Sequence, residues 1–343
     1  DKMEIYRCFL LPCTSLCDYY KEVMRVIQYI GVLLFFFLVS CEKNDVEPQK
    51  TRTLMVYLAG DNNLSGHMQK NISSMMSAWK ESYNANIVIY FDAPNAAPEL
   101  YTFRFKGKEV EKQVLKTYEE MDSADPEVLK KILNEMQDLY PSDSYGLILG
   151  SHASGWIPSG ASGRSNRMLH AEPVLTRSFG KDYTGSNEMD TRDMAKAIPF
   201  NKENLEFILF DACLMSSIEV LYDLRDKAKY VIASPAELPA PGFPYARVMP
   251  YFWGKGKDLE KDLVKVCDEF WDYYNTYNAT NRFGTIALIK MDEMEHLFDL
   301  TREVLQGQKE NVATIKQNAV YCYPMVEYTK HDRFFDLGEY MKY

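Results

Sequence analysis

Short apolar runs recur along the chain, separated by stretches of helical periodicity. Leu54–Leu58 (LMVYL) is an unbroken apolar run that ends in the turn Gly60-Asp61-Asn62-Asn63, and a helix is expected after it, to about Lys80. Asn86–Phe91 (NIVIYF) reads as a second buried strand. Leu100–Phe105 and Glu109–Lys116 flank Lys106-Gly107-Lys108, which predicts a hairpin. Asp125-Pro126-Glu127 opens a helix running to about Leu139, with Asp as cap and Pro at its first position. Tyr145–Leu149 (YGLIL) is a strand that stops at Gly150-Ser151-His152. Residues 157–187 are polar and rich in Gly, Ser and Arg, which predicts a long loop of functional or mobile kind. A short helix near 190–198 leads to the strand Leu205–Phe210 (LEFILF), and a helix is expected from about Cys213. Tyr230–Ala233 and Thr285–Lys290 read as strands, Asp258–Tyr277 as an amphipathic helix, and helical sequence follows Lys290. Near-continuous apolar strands alternating with helices imply a largely parallel sheet covered on both faces.

Two candidate reactive residues stand at strand ends, where such sheets place their sites. His152 follows YGLIL and Cys213 follows LEFILF. A thiolate attacks a carbonyl carbon, and an imidazole can take the thiol proton and return it to the leaving amine. A helix beginning at Cys213 would favour the thiolate through its partial positive charge. Backbone N–H groups near Ala153, Gly155 and Cys213 could receive the oxyanion. The plain alternatives are a small buried cysteine and an incidental loop histidine.

The composition narrows the classes. Hydrophobic residues are 46% and charged residues 26%, with 17 Gly and 15 Pro, so neither a collagen nor a disordered chain fits. The net charge of −10 argues against a general nucleic-acid partner. Seven Cys without a CxxC pair match neither a disulfide scaffold nor a zinc array, and the five His show no metal-ligand spacing. Cys267 and Cys322 lie in apolar stretches and are expected to pack in the core.

At the N-terminus, Arg25 precedes the apolar run Tyr29–Val39, too short to cross ~30 Å of hydrocarbon but suited to a signal peptide. Leu38-Val39-Ser40-Cys41 resembles a bacterial lipobox, which implies cleavage before Cys41, lipid attachment to it and export to the cell envelope. Residues 1–23 read as sequence upstream of a start at Met24, 24–40 as the signal peptide, 41–52 as a linker, and 53–343 as one large domain whose last helix is unfinished.

The wording around the two reactive residues carries a resemblance. Ser151-His152-Ala153-Ser154-Gly155-Trp156 and Phe210-Asp211-Ala212-Cys213-Leu214-Met215 are similar to the histidine and cysteine motifs of the clostripain family of cysteine peptidases. Met55–Leu64 and Ala233–Tyr245 extend the match. The resemblance implies a caspase-like (caspase-hemoglobinase) three-layer αβα sandwich with a mostly parallel central sheet. It implies Cys213 as nucleophile, His152 as general base and acid, and Asp211 as the carboxylate that pairs with a substrate Arg or Lys. A helix cap is the plain alternative for Asp211. It also implies a precursor that cuts itself between the two motifs, with Arg164, Arg167, Arg177 and Lys181 as candidates. Some relatives need Ca²⁺; carboxylates such as Asp190 and Asp193 are available for it, though no EF-hand loop is present. Two departures stand out: Ala153 and Ser216, where relatives carry Gly. The rival expectation is therefore a catalytically degraded surface lipoprotein that uses its cleft as a binding or adhesion module.

Overall fold

The computed structural model describes residues 52–157, 179–185, 187–255, 257–276, 283–312, 314–323 and 334–342. The apolar runs become the strands β1 (Thr53–Ala59), β2 (Asn86–Ala93), β3 (Ala96–Lys106), β4 (Glu109–Thr117), β5 (Tyr145–Gly150), β6 (Leu205–Asp211), β7 (Tyr230–Ala233) and β8 (Ala287–Lys290). They form one sheet in the order β4-β3-β2-β1-β5-β6-β7-β8. The five strands from β2 to β7 in that order are mutually parallel. Antiparallel β3, β4 and β8 extend the two edges. The hairpin expected around Gly107 joins β3 to β4. The antiparallel seat of β8 was not foreseen.

Alternate residues of β1 serve two cores. Met55, Tyr57 and Ala59 face one layer, with α2 (Pro126–Leu139), α3 (Thr191–Ala197) and α4 (Ile218–Asp223) contributing Leu129, Met194 and Val220. Leu54, Val56 and Leu58 face the other, with α1 (Ser65–Ala78), α5 (Tyr245–Val248) and α6 (Lys257–Thr276) contributing Met68, Val248 and Leu263. All seven residues of β1 are buried, as two-sided coverage requires. The result is the α/β three-layer architecture with a mostly parallel sheet. The cap of α2 forms as expected: Asp125 Oδ1 accepts the Glu127 N–H at 2.8 Å, with Pro126 at the first position.

Strand β1 has β2 on one side and β5 on the other, so the chain's direction of travel across the sheet reverses there. The crevice at the carboxyl ends of β1, β5 and β6 is where such a sheet builds a site.

Candidate functional site

The parallel register decides which residues meet. Gly150 of β5 pairs with Asp211 of β6. His152 and Cys213 therefore each stand two residues beyond the same rung. Ser151 secures the His152 side: its hydroxyl donates to the Ala59 carbonyl at the end of β1 at 2.8 Å. His152 Nε2 lies 2.6 Å from Asn63 Oδ1. With that oxygen as acceptor, Nε2 carries the ring proton and Nδ1 is the basic nitrogen. The His152 carbonyl accepts the Gly180 N–H at 2.9 Å, which brings the 179–185 segment alongside.

Cys213 sits in a turn, not at the start of a helix. The helix α4 begins at Ile218, and Leu214 adopts a left-handed conformation with φ of 65°. The expected helix-terminus effect on the thiol is therefore corrected. The turn is held instead by the chain after β7: Leu214 N–H donates to the Ala236 carbonyl at 3.0 Å, and Ser216 N–H to that of Ser234 at 3.1 Å. The Leu238 N–H reaches Cys213 Sγ at 3.3 Å and fixes the sulfur's position. Gly155 closes the other side with φ of 65°, and a Cβ there would lie 2.6 Å from the Leu214 carbonyl oxygen. Only glycine allows these two backbones to approach so closely.

Asp211 does not cap a helix. Its Oδ2 accepts from the Tyr245 hydroxyl at 2.9 Å and from Asn71 Nδ2 at 3.4 Å. Gly242, with φ of 71°, passes so near that a Cβ would meet Asp211 Oδ1 at 2.5 Å. Burial pushes the Asp211 carboxyl up to about 6, against the opposing pull of the Tyr245 hydroxyl and the Phe243 N–H. A carboxylate so enclosed, with hydrogen bonds but no cationic partner among the described residues, suits pairing with a cation brought from outside.

The clostripain family model matches residues 56–343. The chain belongs to the clostripain family. Clostripain from Hathewaya histolytica is 29% identical over 254 residues, which is 66% of this chain. The chain spans about half the length of that curated relative, 47% of it. A solved secreted C11 cysteine protease from Bacteroides thetaiotaomicron, in complex with an irreversible peptide inhibitor, is similar with a TM-score of 0.69 and 30% identity. That likeness covers 85% of this chain and 77% of the other. An inactive zymogen C11 protease from Parabacteroides distasonis gives a TM-score of 0.70 and 31% identity, covering 87% of this chain and 78% of that one.

The remaining site residues can be placed against this clostripain-family fold. Ala153 forms an isolated bridge with Phe179 and is not among the residues of positive φ, so its Cβ imposes no backbone strain. Lys181 is held at both peptide groups: its N–H donates to Ser151 Oγ at 3.2 Å, and its carbonyl accepts from Asn62 Nδ2 at 2.8 Å. Arg164, Arg167, Arg177 and Cys41 lie outside the described residues. Cys267 packs against the apolar core, and burial pushes its thiol up to about 12. Asp193 is paired with Lys196 at 2.8 Å, and Asp190 precedes α3. The metal-competent group that the described residues do assemble is a different one: Asp61, Glu120 and Asp182. The sequence reading assigned no role to Asn63, Leu238 or Tyr245. All three lie inside the stretches Met55–Leu64 and Ala233–Tyr245 that carried the resemblance, which was the available signal.

Proposed function

We propose that this clostripain-family chain is a cysteine endopeptidase that cuts after Arg or Lys, with Cys213 as nucleophile, His152 as general base and acid, and Asp211 as the specificity carboxylate. The observation that carries this reading is the Gly150–Asp211 rung, which sets the histidine, the cysteine and the carboxylate at adjoining strand ends. His152 Nδ1 takes the Cys213 thiol proton, and the sulfur attacks the scissile carbonyl. The backbone N–H groups of Gly155 and Cys213, from the segments after β5 and β6, are the ones assigned to the oxyanion. The proton then passes to the leaving amine, a thioester remains on Cys213, and water activated by the same imidazole hydrolyses it.

Synthesis as a precursor, cut in the 157–187 loop, belongs to the same proposal. The zymogen among its structural relatives supports it. Of the four basic candidates, Lys181 is disfavoured, since a protease must engage the very peptide groups that Ser151 and Asn62 already hold. Export with a lipid on Cys41 is supported by the lipobox-like Leu38–Cys41 and by relatives described as secreted. Among the described residues no helix is long and apolar enough to cross a membrane.

Hydrolysis of fluorogenic peptides ending in Arg, Lys or Asp tests the reading. Wild-type protein is expected to release fluorophore from the basic peptides, and Cys213→Ala and His152→Ala to lose about 10³-fold or more of that rate. Equal turnover by Cys213→Ala, or equal cleavage of Asp- and Arg-ended peptides, would remove the assigned roles.

A further inference from the structure

The helix after β1 places polar groups beside the Asp211 site. His67, Lys70, Asn71 and Ser74 recur at intervals of three and four along α1, so they share one of its faces. That face and the segment 241–247 line a cavity of about 320 Å³. At that size it admits side chains of an extended peptide and not a folded partner.

The cavity adjoins Asp211. Asn71 lines it and also reaches Asp211 Oδ2 at 3.4 Å. Phe243 lines it as well, and its N–H donates to the Asp211 carboxylate. Two residues are thus shared between the carboxylate's surroundings and the cavity lining. The walls are held in place before any peptide arrives. Ser74 Oγ accepts the Ala246 N–H at 2.9 Å, which ties α1 to α5. The Tyr274 hydroxyl donates to the Gly242 carbonyl at 2.7 Å, and Pro241 and Pro244 on either side restrict the backbone. A preformed cavity spares a ligand part of the cost of ordering.

The charge of the cavity is opposite to that of the chain. The chain carries a net −10, yet Lys70 and Arg247 both line the cavity and no carboxylate does so among the described residues. Lys70 is exposed and has no ion-pair partner among the described residues. Arg247 lies over the Tyr273 ring at 5.4 Å, and its Nη1 is 3.8 Å from Glu269 Oε2, beyond hydrogen-bond distance. Its donors are therefore not spent on that carboxylate. The two cations oppose a substrate Arg or Lys in this cavity and favour a carboxylate.

We infer that this cavity is a second substrate subsite, in which Lys70 and Arg247 pair with an Asp or Glu side chain lying within a few residues of the basic residue held by Asp211. The inference rests on the reading of Asp211 as the specificity carboxylate. A peptide bearing both charges would satisfy both sites at once, and the second contact would select among the many peptides that contain Arg or Lys. Such pairing discriminates by charge and weakens with salt.

Internally quenched peptides with a single Arg, carrying Glu or Gln at each of the four positions on either side in turn, test it. In wild type, Glu is expected to exceed Gln in kcat/KM by about fivefold or more at one position, and the ratio to shrink in about 0.5 M NaCl. The Glu/Gln ratio is expected to fall to about one in Lys70→Ala and Arg247→Ala, and Lys70→Glu to turn the preference toward Lys at the same position. Both side chains are exposed, and thermal melts verify that the variants fold. Binding of the same peptide pairs to Cys213→Ala, followed by fluorescence anisotropy, reads the subsite without cleavage. A preference for Glu there, in a chain whose wild type cuts no peptide, keeps the subsite and removes the peptidase reading. Arg-directed cleavage with no preference for Glu at any position, or a preference that both Ala variants retain, overturns the subsite alone.

Discussion

At the scale of single residues, the site owes its character to what surrounds each group. Asp211 is the clearest case. Burial raises its carboxyl toward about 6, while the Tyr245 hydroxyl and the Phe243 N–H hold it from rising further. The ionised form is the one that can pair with a guanidinium, and it is lost as pH falls through that value. For Arg-ended peptides, kcat/KM is therefore expected to drop below pH about 6 along an acid limb that a substrate with an uncharged side chain at that position lacks. The difference between the two profiles isolates Asp211 from the titrations of His152 and Cys213. Superimposable profiles would contradict the assignment. Ala153 shows the opposite lesson. Read from sequence, the missing glycine raised doubt about the oxyanion geometry, yet the backbone there does not use the conformation that would need glycine. Gly155 and Gly242 are where the close approaches fall.

At the scale of elements, apolar runs and punctuation were legible where central strands such as β1 and β5 are buried on both faces and where a helix starts on a side-chain cap, as at Asp125. Tyr230–Ala233 and the Asp125-Pro126 helix start come through unchanged. The helix expected from Cys213 fails for a local reason. The residues 213–217 turn back to bond the chain after β7, with Leu214 in a conformation that cannot propagate a helix. The polar 179–185 segment, read as part of a long loop, packs closely: Phe179 is fully buried and bridges both Ala153 and Met189. Arg52, just before β1, falls in the linker expected over 41–52, whereas the structure builds it into the fold. It is 1% exposed. Its guanidinium donates to Ser144 Oγ at 2.9 Å, to the Phe252 carbonyl, and to the Gly254 carbonyl at 2.9 Å. Replacing it by Ala leaves those acceptors unpaired between β1 and the turn before α6. A loss of about 3 kcal/mol or more in urea unfolding is expected, and a loss under about 1 kcal/mol would show that the clamp contributes little.

At the scale of the whole molecule, the sheet order converts sequence distance into proximity. His152 and Cys213 could be paired from the sequence because both follow strands of one parallel sheet. The group Asp61, Glu120 and Asp182 could not, since its members come from segments far apart in the sequence that only the folded sheet brings together. The same sheet order places Asn63 against His152. The central claim is that this arrangement makes one cysteine reactive toward peptides ending in a basic residue. Intact-mass and peptide-mapping analysis after treatment with an Arg-ended acyloxymethyl ketone measures it most directly. The account predicts a single adduct on Cys213, slow to form in His152→Ala and slow with an Asp-ended reagent. An adduct on Cys267 or Cys322, or Cys213 labelling that ignores both the histidine and the basic side chain, would contradict it.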